Sequence, residues 1–286
     1  MAVRGDVDAF ELVTARTLGE ACDRVSEGYK PFAGGTDVMV LLSSGKLTHP
    51  RWVDIAGVEE LREVRASERL FEMGALTTYT GVRRHPLLSR ELPMLAQAAS
   101  ETGGIAIQNR GTLGGNIGNA SPAADSPPAL LAYGAEVVLV SRRGERTVPY
   151  ASFHTAYKRT VAAPDELVAR ILVARGDAVG RDRVHYYRKV GPRRAQAISK
   201  VCFAACADRD GTRVRDVKIA LGGVAAVPVR ALEAERAIVA GEPFERVSEA
   251  LGRAITPIDD VRSNAAYRRR VADNLLRDFL RHVALR

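Results

Sequence analysis

The segment that most restricts the fold covers residues 108–132, QNRGTLGGNIGNASPAADSPPALLA. It carries four glycines and three prolines between two apolar stretches. Glycine weakens the interior of a helix or strand, and proline removes a backbone donor that both need. We therefore expect irregular backbone here, in the middle of a folded domain, and such backbone needs a structural or functional reason.

Length and pattern predict more than one domain. The chain has 286 residues, of which 46% are hydrophobic, enough for at least one large core. Strand-like and helix-like segments are mixed along the chain, so we predict an α+β fold. A glycine- and charge-rich stretch, VARGDAVGRDR at 173–183, is typical of a linker. It divides the chain into predicted domains at 1–176 and 182–286.

The last segment of the chain predicts an amphipathic helix. Apolar side chains recur every four residues there, which gives one apolar face. The residues of this predicted face are Tyr267, Val271, Leu275, Phe279 and Val283.

Charge and composition disfavour several classes of protein. The net charge is +8, but the arginines are dispersed and only 6% of residues are aromatic, which argues against a nucleic-acid binder. An acidic protein partner or an anionic cofactor accounts for the charge equally well. Neither a secretory signal nor an apolar run of membrane-spanning length is evident, so we expect no membrane insertion and a soluble, cytoplasmic protein.

Common cofactor and metal motifs do not occur. The chain lacks the phosphate loop G-x-x-x-x-G-K-[ST], and the glycines of the opening segment are spaced G-x-x-G-G-x-x-G rather than G-x-G-x-x-G. The five histidines are scattered. Cys202 and Cys206 form a single pair without further ligands, so we interpret them as buried reduced thiols and expect no metal site.

Two glycine pairs stand beside hydroxyl or amide side chains. They lie in FAGGTDV at 32–38, next to Thr36, and in TLGGNIGN at 112–119, between Thr112 and Asn116. Glycine lets a backbone approach a ligand closely, and successive amides can then converge on an anion such as a diphosphate. Ordinary tight turns are the alternative for each loop, and the presence of two loops favours a ligand.

Two further charged positions have both a structural and a functional interpretation. Asp125 can be a turn or cap residue, or its carboxylate can accept hydrogen bonds from the hydroxyls of a polyol ligand. Lys189 belongs, with Arg193 and Arg194, to a basic segment that is either a solvated loop or a source of positive charge beside a redox cofactor.

Taken together, these segments resemble the FAD-binding subunit of the molybdenum hydroxylases, such as the medium subunit of carbon monoxide dehydrogenase and the flavin portion of xanthine dehydrogenase. The resemblance is carried by FAGGTDVMV, by the opening segment, by YRKVGPRRAQAISKV and by VRSNAAYRRRVADNLL, in that order along nearly the whole chain. It implies a vanillyl-alcohol-oxidase-type (PCMH-type) FAD-binding domain of two subdomains, followed by a smaller α+β domain.

The resemblance also implies which residues bind the cofactor. The first loop should wrap the FAD diphosphate region, the second should form another phosphate-binding loop, and the other three positions fall where cofactor contacts are found, with Lys189 as the candidate for electrostatic tuning. These residues are Pro31, Phe32, Ala33, Gly34, Gly35, Thr36, Asp37 and Val38; Thr112, Gly114, Gly115 and Asn116; and Asp125, Val168 and Lys189. We expect FAD to be bound noncovalently.

The implied function is electron transfer within a complex. Molybdopterin and [2Fe-2S] clusters should reside only on partner chains, a molybdopterin-binding large subunit and a [2Fe-2S] small subunit. Substrate hydroxylation should then occur on the large subunit, with no catalytic acid or base in this chain. Electrons should pass from the iron–sulfur clusters through FAD to NAD⁺ or another acceptor. The alternatives are a self-sufficient FAD-dependent reductase of the same fold and an assembly subunit that binds no FAD.

Overall fold

A computed structural model describes residues 10–176, 182–211 and 213–284 of the chain. Three units follow one another along it, and each combines a β-sheet with helices. The first two correspond to the two predicted subdomains and the third to the predicted C-terminal α+β domain. The α+β class is therefore confirmed.

The first unit is a small parallel sheet with two helices. Its strands are parallel because a helix connects each strand to the next along the chain. Thr17 caps the first helix, as its hydroxyl accepts a hydrogen bond from the Glu20 amide. The elements are β1 (Glu11–Thr14), α1 (Leu18–Ser26), β2 (Lys30–Phe32), α2 (Val38–Ser43) and β3 (Arg51–Asp54), and the sheet order is β1-β3-β2.

The second unit is a five-stranded antiparallel sheet with six short helices inserted between its second and third strands in chain order. Its strands are β4 (Val64–Ala66), β5 (Leu70–Gly74), β6 (Glu136–Ser141), β7 (Gly144–Pro149) and β10 (Leu167–Ala174), in the order β4-β5-β10-β6-β7, and β8 (His154–Ala156) and β9 (Arg159–Thr160) form a separate hairpin. The helices are α3 (Tyr79–Arg84), α4 (Pro86–Glu91), α5 (Pro93–Glu101), α6 (Ile105–Arg110), α7 (Leu113–Asn119) and α8 (Ser126–Ala132).

The opening segment thus forms α7, α8 and the turns around them. Thr112 caps α7, because its hydroxyl accepts a hydrogen bond from the Gly115 amide at 3.0 Å. Ala120 ends α7 in the left-handed conformation, with φ of 50°. The prolines at 127 and 128 lie in the first turn of α8, where a missing amide costs no helical hydrogen bond.

The third unit is an antiparallel sheet covered on both faces. Side chains alternate along a strand, so one face of β12 presents Cys202 and Cys206 to the second unit, while the other presents Phe203 to the C-terminal helices. Both thiols are buried, as interpreted from the sequence. The elements are β11 (Asp182–Val190), β12 (Val201–Asp210), β13 (Arg213–Gly222), β14 (Val229–Arg230), α9 (Leu232–Val239), α10 (Phe244–Ala254) and α11 (Ala265–Ala284).

The predicted apolar face of the last helix is partly wrong. The buried residues of α11 are Arg268, Ala272, Leu276, Phe279 and Val283, so the first half of the face is displaced by one position. The cause is the Arg268 guanidinium, which donates to the Asp260 carboxylate at 2.7 Å and to the Gly223 carbonyl at 2.6 Å. A paired arginine can be buried, whereas the periodicity argument treats every arginine as exposed.

The predicted domain boundary falls between β10, which ends at Ala174, and β11, which begins at Asp182. The limits 1–176 and 182–286 remain a prediction, and residues 1–9, 177–181, 212 and 285–286 lie outside the described part of the chain.

Candidate functional site

A cavity of about 410 Å³ lies between the first two units. The loop between β2 and α2 forms one wall, and the start of α7 forms the facing wall. The end of β5 and the segment from β9 to β10 complete the lining. Its apolar surface comes from Leu41, Trp52, Ile55, Leu76, Tyr79, Phe153 and Leu167.

Most of the predicted site residues line this cavity. They are Pro31, Ala33, Gly34, Gly35, Thr36, Asp37, Val38, Thr112, Gly114, Gly115, Asn116 and Val168. Phe32 does not line it: an ideal Cβ on Gly35 would lie 2.6 Å from the Phe32 Cζ atom, so this ring packs directly against the loop. Asp125 and Lys189 are also absent from the lining.

The two glycine loops touch each other. A Cβ atom on Gly34 would lie 2.0 Å from the carbonyl oxygen of Arg110, two residues before the second loop, and 3.2 Å from the Cα atom of Gly111. The Arg110 guanidinium in turn donates to the Gly34 carbonyl at 3.3 Å. Gly35 has a φ of 73°, a conformation that residues with a Cβ rarely adopt. The first glycine of the pair therefore allows the loop contact, and the second allows the turn.

The amides of the second loop already have acceptors within the protein. Leu113 donates to the Thr77 carbonyl at 2.9 Å, and Gly114 donates to the Ala75 carbonyl at 2.8 Å. The Gly115 and Asn116 amides donate to the hydroxyl and the carbonyl of Thr112, both at 3.0 Å. These four amides are not available to a ligand, contrary to the expectation that they converge on an anion. The loop can still offer the Thr112 hydroxyl proton and the Asn116 side-chain NH₂ group.

The amides of the first loop are different. Within the described residues, those of Gly34, Gly35 and Thr36 donate to no protein acceptor. Three consecutive donors without acceptors, on the wall of a cavity, can bind an anion such as a phosphate group. The two loops therefore differ in hydrogen bonding: the amides of the second are paired within the protein, and those of residues 34–36 in the first are not.

Charged side chains at the cavity are few. Glu166 lines it, but its carboxylate is paired with Arg146 at 2.7 Å, and hydrogen bonding from this guanidinium lowers the pKa of Glu166. Lys158 is not a lining residue, but its ammonium donates to the carbonyl and the side-chain oxygen of Asn119, which does line the cavity. Burial lowers the pKa of Lys158, and Asp37 opposes that shift by its negative charge.

Comparisons with known proteins identify the family of the chain. Residues 8–174 match the family described as the FAD binding domain in molybdopterin dehydrogenase, and residues 185–283 match the CO dehydrogenase flavoprotein C-terminal domain. The chain belongs to this family of FAD-binding subunits. Its cofactor is accordingly FAD, and its fold is the FAD-binding fold that the sequence predicts.

Related flavoprotein subunits match along nearly their whole length. The chain is 31% identical to the glyceraldehyde dehydrogenase medium chain of Sulfolobus acidocaldarius, over 96% of this chain and 98% of that one. It is 30% identical to a putative xanthine dehydrogenase FAD-binding subunit of Escherichia coli, over 89% of each. Among solved structures, carbon monoxide dehydrogenase of Hydrogenophaga pseudoflava matches with a TM-score of 0.89 at 26% identity, over 94% of this chain and 95% of that one.

The cavity fits FAD in its chemistry. Unpaired amides on one wall suit the diphosphate, since anions bind well to converging backbone donors. The hydroxyl and amide side chains opposite suit its hydroxyl groups and phosphate oxygens. The apolar walls, including the rings of Trp52, Tyr79 and Phe153, suit the flat aromatic parts of the cofactor.

Asp125 and Lys189 form a buried pair between the second and third units. The Lys189 ammonium donates to the Asp125 carboxylate and to the Glu101 carbonyl, both at 2.7 Å. The Ser199 hydroxyl donates to the other carboxylate oxygen at 2.5 Å. Burial raises the pKa of Asp125, and Lys189 counteracts this by charge and hydrogen bonding. In this structure the side chains of Asp125 and Lys189 both bind protein partners. Their predicted contacts with FAD therefore remain predictions.

Some lining residues have no obvious signal in the sequence. Tyr79, Phe153 and Thr160 line the cavity although no motif singles them out. Lys30 and Leu167 are easier to find, because they adjoin the predicted residues Pro31 and Val168. The other lining positions depend on contacts between distant segments, such as the bridge between Thr78 and Thr112.

In the described ranges, His, Cys, Asp and Glu side chains do not gather in groups of three that could ligate a metal ion. None of the helices described for residues 10–176, 182–211 and 213–284 combines the length and hydropathy that crossing a bilayer requires.

Proposed function

We propose that this chain holds FAD noncovalently in the cavity between its first two units and acts as the electron-transfer subunit of a heteromeric molybdenum hydroxylase. FAD held there would supply the redox chemistry between the iron–sulfur clusters of a partner and NAD⁺ or another acceptor. The observation that carries this proposal is the set of unpaired amides facing a hydroxyl- and amide-bearing wall, in a chain of this family.

The roles of the residues follow from their hydrogen bonds. The amides of residues 34–36 bind the diphosphate, and the facing Thr112 and Asn116 side chains donate to oxygens of the same region. Val168 provides apolar contact on the cavity wall. The protein's contribution is to hold and orient the cofactor and to set its electrostatic environment, since the electron transfer itself is flavin chemistry.

The partner subunits follow from the relatives. The medium chains of carbon monoxide dehydrogenase and glyceraldehyde dehydrogenase bear names that imply further chains. We therefore propose a molybdopterin-binding large subunit and a [2Fe-2S] small subunit as partners, with substrate hydroxylation on the large subunit.

An isosteric charge substitution tests the cofactor site. Asn116→Asp keeps the oxygen that accepts from the Ser126 hydroxyl at 2.7 Å but removes the NH₂ group and adds a negative charge to the cavity. We expect FAD affinity to fall at least tenfold, measured by quenching of flavin fluorescence, and riboflavin affinity to fall much less because riboflavin carries no diphosphate. The matched control is Asn109→Asp, since the exposed Asn109 accepts from Thr80 in the same way but lies outside the cavity.

Two results would contradict the proposal. One is purified protein that releases no flavin on denaturation and cannot be reconstituted with FAD. The other is equal loss of FAD and riboflavin affinity in Asn116→Asp, because this would mean that the site does not contact the diphosphate. The acceptor is tested separately: NADH mixed anaerobically with the complex should bleach the flavin absorbance if NAD⁺ is the acceptor, and unchanged absorbance would exclude it.

A further inference from the structure

The hydroxyl of Ser126 is buried and bonds to a residue of the cavity wall. Ser126 is the first residue of α8 and is fully buried. Serine near a helix terminus commonly bonds to a nearby backbone group, whereas this hydroxyl donates to the side-chain oxygen of Asn116 at 2.7 Å. Asn116 belongs to α7 and lines the cavity. The bond therefore joins α8 to a side chain of the candidate cofactor site.

This bond selects one of two orientations of the Asn116 amide. The oxygen of an asparagine side chain only accepts and its NH₂ group only donates, and a half-turn of the amide exchanges the two. The oxygen is held by Ser126, while the NH₂ group donates to no acceptor in the described part of the chain. The group left for a ligand is thus a donor, which is the polarity that phosphate oxygens need.

Tyr79 favours the same direction of hydrogen bonding. A hydroxyl can donate or accept, so a serine alone would tolerate either orientation of the amide. Burial raises the pKa of Tyr79, and a hydrogen bond with Ser126 opposes that rise, so the phenol keeps its proton and bonds to the same serine. If Tyr79 donates to Ser126 and Ser126 to Asn116, every hydroxyl proton has an acceptor. In the opposite direction the Tyr79 proton would lack one among the described residues.

The backbone around these three residues holds each of them in place. The Tyr79 amide donates to the Gly111 carbonyl at 3.2 Å, and a Cβ on Gly111 would lie 2.8 Å from the Tyr79 ring. Every residue of α8 is buried, and two prolines follow Ser126 directly. The Asn116 backbone amide is bonded within α7. A donor held in this way loses less conformational freedom when a ligand binds.

We infer that Ser126 is a positioning residue of the cofactor site, which holds the Asn116 NH₂ group toward the oxygens of the FAD diphosphate region and is itself held by Tyr79. This inference rests on the proposed function. Ser126 acts only through Asn116. Its loss should therefore weaken the binding of FAD, whose phosphate oxygens accept from Asn116, and leave the binding of riboflavin, which has no phosphate, nearly unchanged.

The test measures FAD and riboflavin binding to the full chain, freed of flavin, by quenching of flavin fluorescence. Ser126→Ala removes only the hydroxyl, and we expect the dissociation constant of FAD to rise about 3- to 10-fold and that of riboflavin to change less than about twofold. In a chain that already carries Asn116→Ala, Ser126→Ala should cause no further loss of FAD affinity. The matched control is Thr80→Val, because the Thr80 hydroxyl donates to the Asn109 side-chain oxygen at 2.6 Å outside the cavity lining.

Two results would overturn the inference and leave the proposed function standing. One is normal FAD binding by Ser126→Ala. The other is a loss that is equal for FAD and riboflavin, or that persists in the Asn116→Ala chain, because a purely structural role would produce it. If the melting temperature shows that Ser126→Ala does not fold, Tyr79→Phe takes its place: it keeps the ring, and its loss of FAD affinity should likewise disappear in the Asn116→Ala chain.

Other results would refute the proposed function together with the inference. These are the failure of the unsubstituted chain to bind FAD and unchanged FAD affinity in Asn116→Ala. In either case the Asn116 side chain would not contact the cofactor, and Ser126 would have no donor to position.

Discussion

Substituting Gly34 by alanine tests whether the contact between the two loops shapes the FAD site. The added Cβ would lie 2.0 Å from the Arg110 carbonyl oxygen and 2.7 Å from its carbonyl carbon, whereas ordinary contact begins near 3.4 Å. These neighbours are backbone atoms and cannot rotate away. The loops must therefore separate by about 1.4 Å at this point.

This separation has two measurable costs. Overpacking of a well-packed site usually costs about 1–3 kcal/mol, which for a protein of this size lowers the melting temperature by roughly 2–4 °C per kcal/mol. The amides of residues 34–36 also move away from Thr112 and Asn116, so both walls can no longer reach one ligand. Loss of one hydrogen bond to a charged group costs about 1.5–3 kcal/mol, and we expect FAD affinity to fall roughly 10- to 100-fold.

The assay pairs thermal unfolding of the apoprotein with FAD titration. The control is Gly252→Ala in α10, because a Cβ there meets nothing within 4 Å and alanine favours a helix by about 0.5–1 kcal/mol. If Gly34→Ala lowered the melting temperature but bound FAD normally, the spacing of the loops would not determine cofactor binding. If neither quantity changed, the close contact itself would be refuted.

Three further predictions concern stability. Lys189→Met leaves the buried Asp125 carboxylate without its cation and should lower the free energy of unfolding, measured in urea, by about 3–5 kcal/mol. Adding Asp125→Asn to the same chain should recover part of that loss. Additive costs of the two substitutions would show that the two groups do not interact. Burial lowers the pKa of His154 to about 4, so between pH 6.5 and 4 the unfolded chain binds one more proton than the folded chain. The free energy of unfolding should therefore decrease as the pH falls through that window, by at most about 1.4 kcal/mol per pH unit. His154→Gln should flatten this part of the stability profile. Hydrogen bonding from Arg175 lowers the pKa of Glu91 to about 2. The contribution of this carboxylate to the stability of the fold is therefore fully present above pH 4.5 and is lost as the pH falls toward 2. Glu91→Gln should abolish that part of the acid dependence of stability.

Local signals predict much of the fold. Thr17 and Thr78 cap the helices that follow them, and such caps can be recognised in a sequence because a hydroxyl that accepts from a nearby amide is a short-range interaction. Cys202 and Cys206 are buried as interpreted from the sequence, and they share one face of β12 because side chains alternate along a strand. The predicted apolar face of α11 is partly wrong because it depends on a contact beyond the helix: Arg268 is buried only because it pairs with Asp260, which lies outside α11.

The candidate cofactor site can likewise be predicted only as far as short-range sequence signals reach. Glycine composition identifies both loops, and most of the residues predicted from them line the cavity. The sequence cannot reveal that the carbonyls of Ala75 and Thr77 accept from the second loop, because those contacts require the folded second unit. It also cannot reveal that Asp125 and Lys189 bind each other across the junction with the third unit.

Two loops of similar composition therefore need their glycines for different reasons. Gly34 and Gly114 need the absence of a Cβ because a neighbouring backbone lies against them, Arg110 in one case and Ala75 in the other. Gly35 needs its positive φ. Gly115 is limited mainly by the Thr112 hydroxyl, 2.8 Å from where its Cβ would lie. That hydroxyl caps α7 and lines the cavity, so a side chain at 115 would have to displace the cap.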